Sequence, residues 1–111
     1  MIEKTILDYL NSQLTVPVYM ERPENDTGEY VVIEKTSSER TNYLNRATIA
    51  CQSFGNTLFR AAEITEAVKG AMDEVISLPE ISRSALNSDY NYTDTSKKRY
   101  RYQAVYDITH Y

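Results

Sequence analysis

Residues 57–77, TLFRAAEITEAVKGAMDEVIS, place apolar side chains every three to four positions, while the tracts on either side repeat every two. Leu58, Ala61, Ile64, Thr65, Val68, Ala71, Met72 and Val75 form one stripe, and Arg60, Glu63, Glu66, Lys69, Asp73 and Glu74 lie mostly away from it. Such a stripe predicts an amphipathic helix with one face on a core. Gly55-Asn56 stops the preceding tract, Asn56 is placed to cap the helix, and Pro79 ends it. Gly70 costs about 1 kcal/mol relative to Ala inside a helix. Two readings explain it: a solvent position, or close approach of another backbone.

Residues 2–14 give a shorter helix, with Ile2, Ile6, Tyr9, Leu10 and Leu14 at helical spacing. In TVPVYMER, Val16, Val18 and Met20 alternate with Pro17 and Tyr19; this is a short strand that Pro17 confines to an edge or to a strand's first residues. PENDTG then breaks the chain. YVVIEKTSSER and TNYLNRATIACQSF predict a long hairpin, with Tyr43, Ala47, Ile49 and Cys51 on one face and a tip near 37–42 that projects into solvent. The polar stretch 34–46, EKTSSERTNYLNR, looks too long and too hydrophilic for a tight hairpin on an isolated core and suits an arm laid along a neighbour.

Six of the 10 Tyr fall between Tyr90 and Tyr111. Tyr90 and Tyr92 share even parity with Leu86, and Tyr100, Tyr102 and Tyr106 with Ala104 and Ile108. A hairpin closed through Asp94–Lys98 sets Tyr92 against Tyr100 and Tyr90 against Tyr102, all on one face. That face carries the apolar residues, so it is expected to be the core side. The order α-β-β-β-α-β-β departs from regular βαβ alternation. It predicts one α+β domain over 1–111: a mostly antiparallel sheet of about five strands with two helices packed on one face.

Composition narrows the function. A single cysteine, Cys51, excludes an intramolecular disulfide framework, and a single histidine, His110, leaves little for a zinc site. The N-terminal segment, with acids among its apolar residues, does not read as a signal peptide, and no apolar run is long enough for a transmembrane span. A cytosolic origin is expected. The net charge of −4 argues against a phosphate-backbone binder. It is unevenly spread: residues 1–80 carry 13 acids and 7 bases, net −6, and residues 81–111 carry 3 acids and 5 bases, net +2. A basic edge meeting an acidic edge of another copy is one reading; a solvated surface of mixed sign is the other.

No phosphate loop, dinucleotide fingerprint or nucleophile elbow occurs. A Cys51–His110 dyad is arithmetically possible, but Cys51 lies within an apolar strand and reads as an inert thiol. No catalytic, cofactor-binding or metal-binding residues are expected. A base-stacking platform is the closest rival, with Lys97, Lys98, Arg99 and Arg101 beside the Tyr rows. Assigning those rows to the core argues against it.

The ordered features resemble the tail-terminator, or tail-completion, proteins of bacteriophages and prophages. The resemblance runs from the VPVY strand through YVVIEKT, ATIACQSFG and NTLFRAAEITEAVKGAM to the closing RYQAVYDITHY, essentially the whole chain. It rests on element order and length, not on an invariant motif, and related head–tail connector and neck proteins share the pattern. The resemblance implies a non-enzymatic virion protein without cofactors, assembled in the host cytoplasm. Such a protein forms a ring, typically a hexamer, that stops tail-tube growth and helps to join the head. Its partners are further copies of itself, the tail tube protein and a neck or head-completion protein, with no membrane and no specific nucleic acid. Glu34, Glu39, Arg40, Arg46, Lys97, Lys98 and Arg99 are the candidate subunit or tail contacts. A small cytosolic adaptor is the alternative, and a single-stranded nucleic-acid binder the less favoured one.

Overall fold

Ile2, Ile6 and Leu10 recur one turn apart and are buried, which fixes α1 (Ile2–Gln13) on the core. The computed structural model describes residues 1–25, 27–96 and 99–111. Beyond α1 the chain forms β1 (Val18–Tyr19), β2 (Tyr30–Thr41), β3 (Leu44–Gly55), α2 (Leu58–Asp73), a 3-10 turn (Val75–Ser77), β4 (Ile81–Asn91) and β5 (Tyr100–His110). The sheet order is β1-β2-β3-β5-β4. Among the described residues the short β1–β2 pairing is parallel and the other three are antiparallel. The fold is α+β in the expected order, with both helices on one face of the sheet.

That helix-covered face holds the main core. Val31, Ile33, Ala47, Ile49, Cys51, Ala104, Tyr106 and Ile108 meet Ile6 and Leu10 of α1 and Ile64, Val68 and Met72 of α2. The Tyr9 hydroxyl donates to the Ala71 carbonyl at 2.6 Å and ties the two helices together. Lys69 on α2 reaches Asp89 on β4 at 2.7 Å. Leu58, the first residue of α2, departs from the predicted stripe and is 41% exposed.

Local signals at α2 resolve differently from expectation. Thr57, not Asn56, caps the helix: its hydroxyl accepts the Arg60 N–H at 3.1 Å. Gly55 is required by close approach, because a Cβ there would lie 2.4 Å from the Ala61 nitrogen. Gly70 faces open space, so the solvent reading holds for it.

The long β2–β3 hairpin forms as expected, but the polar stretch 34–46 closes tightly, against expectation. Its ladder runs from Tyr30↔Phe54 to Thr41↔Leu44, interrupted by one bulge at Thr36. The turn is only Asn42-Tyr43, with φ of 52° and 69°, the paired left-handed conformation that suits a two-residue hairpin. Backbone pairing does not depend on side-chain polarity, so a hydrophilic stretch closes as tightly as an apolar one. β5 also runs beside β3 as far as Asn45↔His110, which leaves little beyond the turn to project.

The tyrosine expectation is overturned. Asp94 bridges Arg99, Asn91 pairs with Tyr102 and Tyr90 with Gln103. The register is one residue off the expected one, and a slip of one residue exchanges faces. Tyr100 and Tyr102 stay on the helix-covered side, in line with Ala104, whereas Tyr90 and Tyr92 point to the open face. At the start of the connection the Asp94 carboxylate accepts from the Ser96 N–H at 3.1 Å and the Ser96 hydroxyl at 2.7 Å. A bulge at Asn87 restores the phase, so that Leu86 opposes Tyr106.

Val68→Asp buries an unpaired charge at a site with 0% exposure and is expected to cost several kcal/mol, enough to unfold the domain. Gly70→Ala has the opposite sign, a gain of up to about 1 kcal/mol. Thermal unfolding of both variants checks the orientation of α2; an unchanged melting temperature for Val68→Asp would show that the face is misassigned.

Candidate functional site: an aromatic and arginine belt on the open sheet face

The face away from the helices has no second layer among the described residues, yet it buries a small apolar cluster of Tyr30, Val32 and Phe54. Register explains its position. Tyr30 pairs with Phe54, Phe54 with Arg101, and the Tyr92 N–H donates to the Arg101 carbonyl, so these four residues share one row across β2, β3, β5 and the end of β4. Tyr19 on β1 and Tyr90 on β4 end the adjacent row, which runs through Val32, Gln52 and Gln103.

Ring contacts join the two rows into one belt. The centroids lie 5.9 Å apart for Tyr19–Tyr30, 4.7 Å for the stacked Tyr30–Phe54 pair and 5.8 Å for the edge-on Tyr90–Tyr92 pair. The Arg101 guanidinium bridges the gap, 5.5 Å from the Phe54 centroid and 4.2 Å from that of Tyr92. Arg22 and Arg99 also stand over Phe54, at 4.9 and 5.5 Å. Each such cation–ring contact contributes about 0.5–2 kcal/mol, depending on how far it is desolvated. Three guanidinium groups thus do for Phe54 what a helix does on the other side: they cover the ring while keeping charge at the surface.

Backbone carbonyls hold the arginines in place. Arg99 donates to the carbonyls of Gly28 and Gly55, and Arg101 Nε to that of Tyr92 at 2.9 Å. Beside the belt, Glu29 and Arg60 form a two-pronged pair at 2.8 and 3.0 Å. The Arg60 guanidinium holds the Glu29 carboxyl below its usual range. Farther along the open face, Gln52 meets Gln103 at 2.9 Å, and Asp107 accepts from Thr48 and Asn87 at 3.0 and 2.9 Å. Beyond them lies a depression of about 550 Å³ walled by Glu39, Arg46, Thr48, Arg83 and Asp107.

The residues singled out from the sequence do not converge. Glu34, Glu39 and Arg46 lie on the open face, and Glu39 and Arg46 pair at 3.5 Å with both side chains well exposed. The bulge at Thr36 turns Arg40 to the other face, where it lines a depression with Met1, Glu3, Lys35 and His110. Arg99 sits at the opposite end of the sheet, within the belt. Lys97 and Lys98 lie outside the described residues. Cys51 and His110 are separated along the sheet by the rows from Cys51↔Ala104 to Asn45↔His110. Cys51 is fully buried, and desolvation pushes its thiol up to about 12, the inert state expected of it.

Sequence reading missed Phe54, Tyr30 and Arg22. Phe54 shares parity with Gln52 and Ala50, away from Ile49 and Cys51, and that opposite parity was the available signal. Its match to Arg101 depends on strand order, which no local pattern encodes. Among the described residues, no group of three or more His, Cys, Asp or Glu is placed to hold a metal ion, and no helix is long and apolar enough to cross a membrane. A scan against protein-family models finds no match to the chain, and a search of curated proteins finds none.

The Glu29–Arg60 pair predicts an acid-sensitive contribution to stability. The folded-state carboxyl titrates below its ordinary value, so this contribution is complete above that value and fades as pH falls through the folded one. Glu29→Gln should lower stability near neutral pH and flatten its acid dependence. Denaturant titrations between neutral pH and the carboxylate range test this; parallel pH profiles for both proteins would refute it.

Proposed function

We propose that this chain is a non-enzymatic structural protein of a phage or prophage tail. In this reading it forms a ring, most simply of six copies, that ends the tail tube and helps to join the head. The observation that carries the reading is the layout of the sheet: helices cover one face only, and the polar ends of β2 and β3 present Glu34, Glu39 and Arg46 on the open side and Arg40 on the other. A 12-residue strand whose last eight residues are exposed adds little to its own core. Charge of both signs at its end suits a contact that steers and registers another subunit. The likeness in element order over the whole chain supports the same reading, and the partners are then further copies of the chain, the tail tube protein and a neck or head-completion protein.

A second reading gains from the register. Tyr90 and Tyr92 are 43% and 46% exposed on the open face beside Arg101, where they are available to stack on the bases of a single strand. The net charge of −4 and the carbonyl bonds that occupy Arg99 and Arg101 favour the structural role over it.

Two measurements separate the readings. Purified protein mixed with tail tubes lacking their terminator should cap the ends and stop elongation, seen by electron microscopy, and the double variant Arg40→Glu, Arg46→Glu should fold normally but cap poorly. Tubes that elongate in excess protein would count against the ring. Anisotropy with a labelled single-stranded oligonucleotide at physiological salt should show no submicromolar binding; tight binding lost in Tyr92→Ala would support the nucleic-acid role instead. A protein that stays monomeric with and without tubes points to a small adaptor.

A further inference from the structure

We propose that a second copy of this chain adds its β2 edge to the β4 edge of the first, so that one antiparallel sheet runs on from copy to copy. This inference rests on the ring reading and names the contact that would build the ring. Both edges are open: β1 pairs with β2 only at Val31 and Val32, so β2 has no neighbour on that side from Ile33 to Thr41 among the described residues. Among the described residues β5 is the one strand that pairs with β4, which leaves the other edge of its 11 residues without a strand neighbour. An open edge of this length is a template for another strand.

The two edges match in direction. Strands β2, β3, β5 and β4 alternate in sense, so β4 of one copy and β2 of the next run antiparallel when the sheet continues with its helices on the same face. They also match in hydrogen-bond phase. The Val31 N–H turns away from β3, donating to the Pro17 carbonyl, and the Tyr92 N–H turns inward to Arg101. Alternation then turns Ile33 and Lys35 outward on one edge and Asn91 and Asp89 outward on the other. Ile33 and Asp89 already lie in the same row, through Cys51 and Ala104. A second copy added without stagger therefore sets the outward groups of Asp89 opposite those of Ile33, the first free position of the β2 edge, whereas Asn91 falls opposite Val31, which β1 already holds.

Side chains agree in the same register. Glu39 and Arg83 end one row, through Arg46 and Thr109, so unstaggered pairing sets Glu39 of one copy directly across from Arg83 of another on the open face. Opposite charges in that position favour the pair, and like charges oppose it. Leu86, 45% exposed at the β4 edge, shares its row with Lys35 and would lie along the lysine's aliphatic stem. Because the two edges are different surfaces, the contact is head-to-tail and propagates until it closes.

The test is a designed cross-link. Ser37 and Ala85 end one open-face row, so a chain carrying both Ser37→Cys and Ala85→Cys should form disulfides between copies on mild oxidation, alone or on tail tubes. Buried Cys51 should stay silent. The expected result is a ladder of covalent oligomers ending at one size, absent from either single variant. Arg83→Glu should weaken association several-fold, and adding Glu39→Arg should restore it. Rings seen by light scattering or on tubes without a ladder would overturn the edge contact and leave the ring reading intact. A ladder without tube capping would support the contact and sink the terminator role. Monomers under all conditions, with no ladder, would overturn both.

Discussion

Strand β5 is paired on both sides over nearly its whole length, and the rest of the protein is arranged by that register. Its even residues Ala104, Tyr106 and Ile108 face the helices and are buried; its odd residues Arg101, Gln103 and Asp107 face the open side. Moving the pairing by one residue would exchange these sets and place a guanidinium and a carboxylate in the apolar core, at a cost of several kcal/mol each. Because β5 fixes β3 and β4 together, this one constraint also decides that Phe54 meets Arg101 and that Tyr92 stands beside it.

The open face shows how a sheet with one covered side manages apolar residues on the other. Burying a ring the size of Phe contributes about 1.5–3 kcal/mol, but here no helix is available to cover it. Arginine serves because its stem is apolar, its plane stacks on a ring and its charge stays at the surface. Carbonyls of Gly28, Gly55 and Tyr92 accept its N–H groups, so the lid over Phe54 is fixed in place instead of swinging freely. Stability and a potential recognition surface therefore occupy the same residues, and an arginine held by carbonyls has fewer donors left for a ligand.

Element type and order were legible in the sequence because each long tract has a clear period: the stripe of α2, the alternation of β3 and β5, and the spacing of Ile2, Ile6 and Leu10. What was hidden depends on pairs of strands. Tyr90 and Tyr102 share parity, yet parity predicts a common face only within one strand; across a hairpin the loop length decides. Here Asp94 bridges Arg99, one residue off the expected pairing, and the bulge at Asn87 then let Leu86 resume the core side. The charged candidates scattered for a similar reason: the bulge at Thr36 put Arg40 on the face opposite Glu34, with which it shares parity, and brought Glu39 to the open face beside Arg46, while the ends of the sheet separated Arg99 from the others.

Those same bulges bear on why two open edges need not make the protein stick to any strand it meets. Thr36 on β2 and Asn87 on β4 interrupt their edges on either side of the single row that contains Lys35 and Leu86. A regular strand approaching either edge loses hydrogen-bond alignment at the bulge, and charged side chains at Glu34, Lys35, Glu39 and Arg83 add a cost for unmatched partners. An edge that is itself interrupted one row away, with the opposite charge at the row of Glu39 and Arg83, does not meet the same mismatch throughout. A device that discourages general aggregation can in this way leave one permitted partner, which under the proposed β2–β4 contact is the chain's own edge.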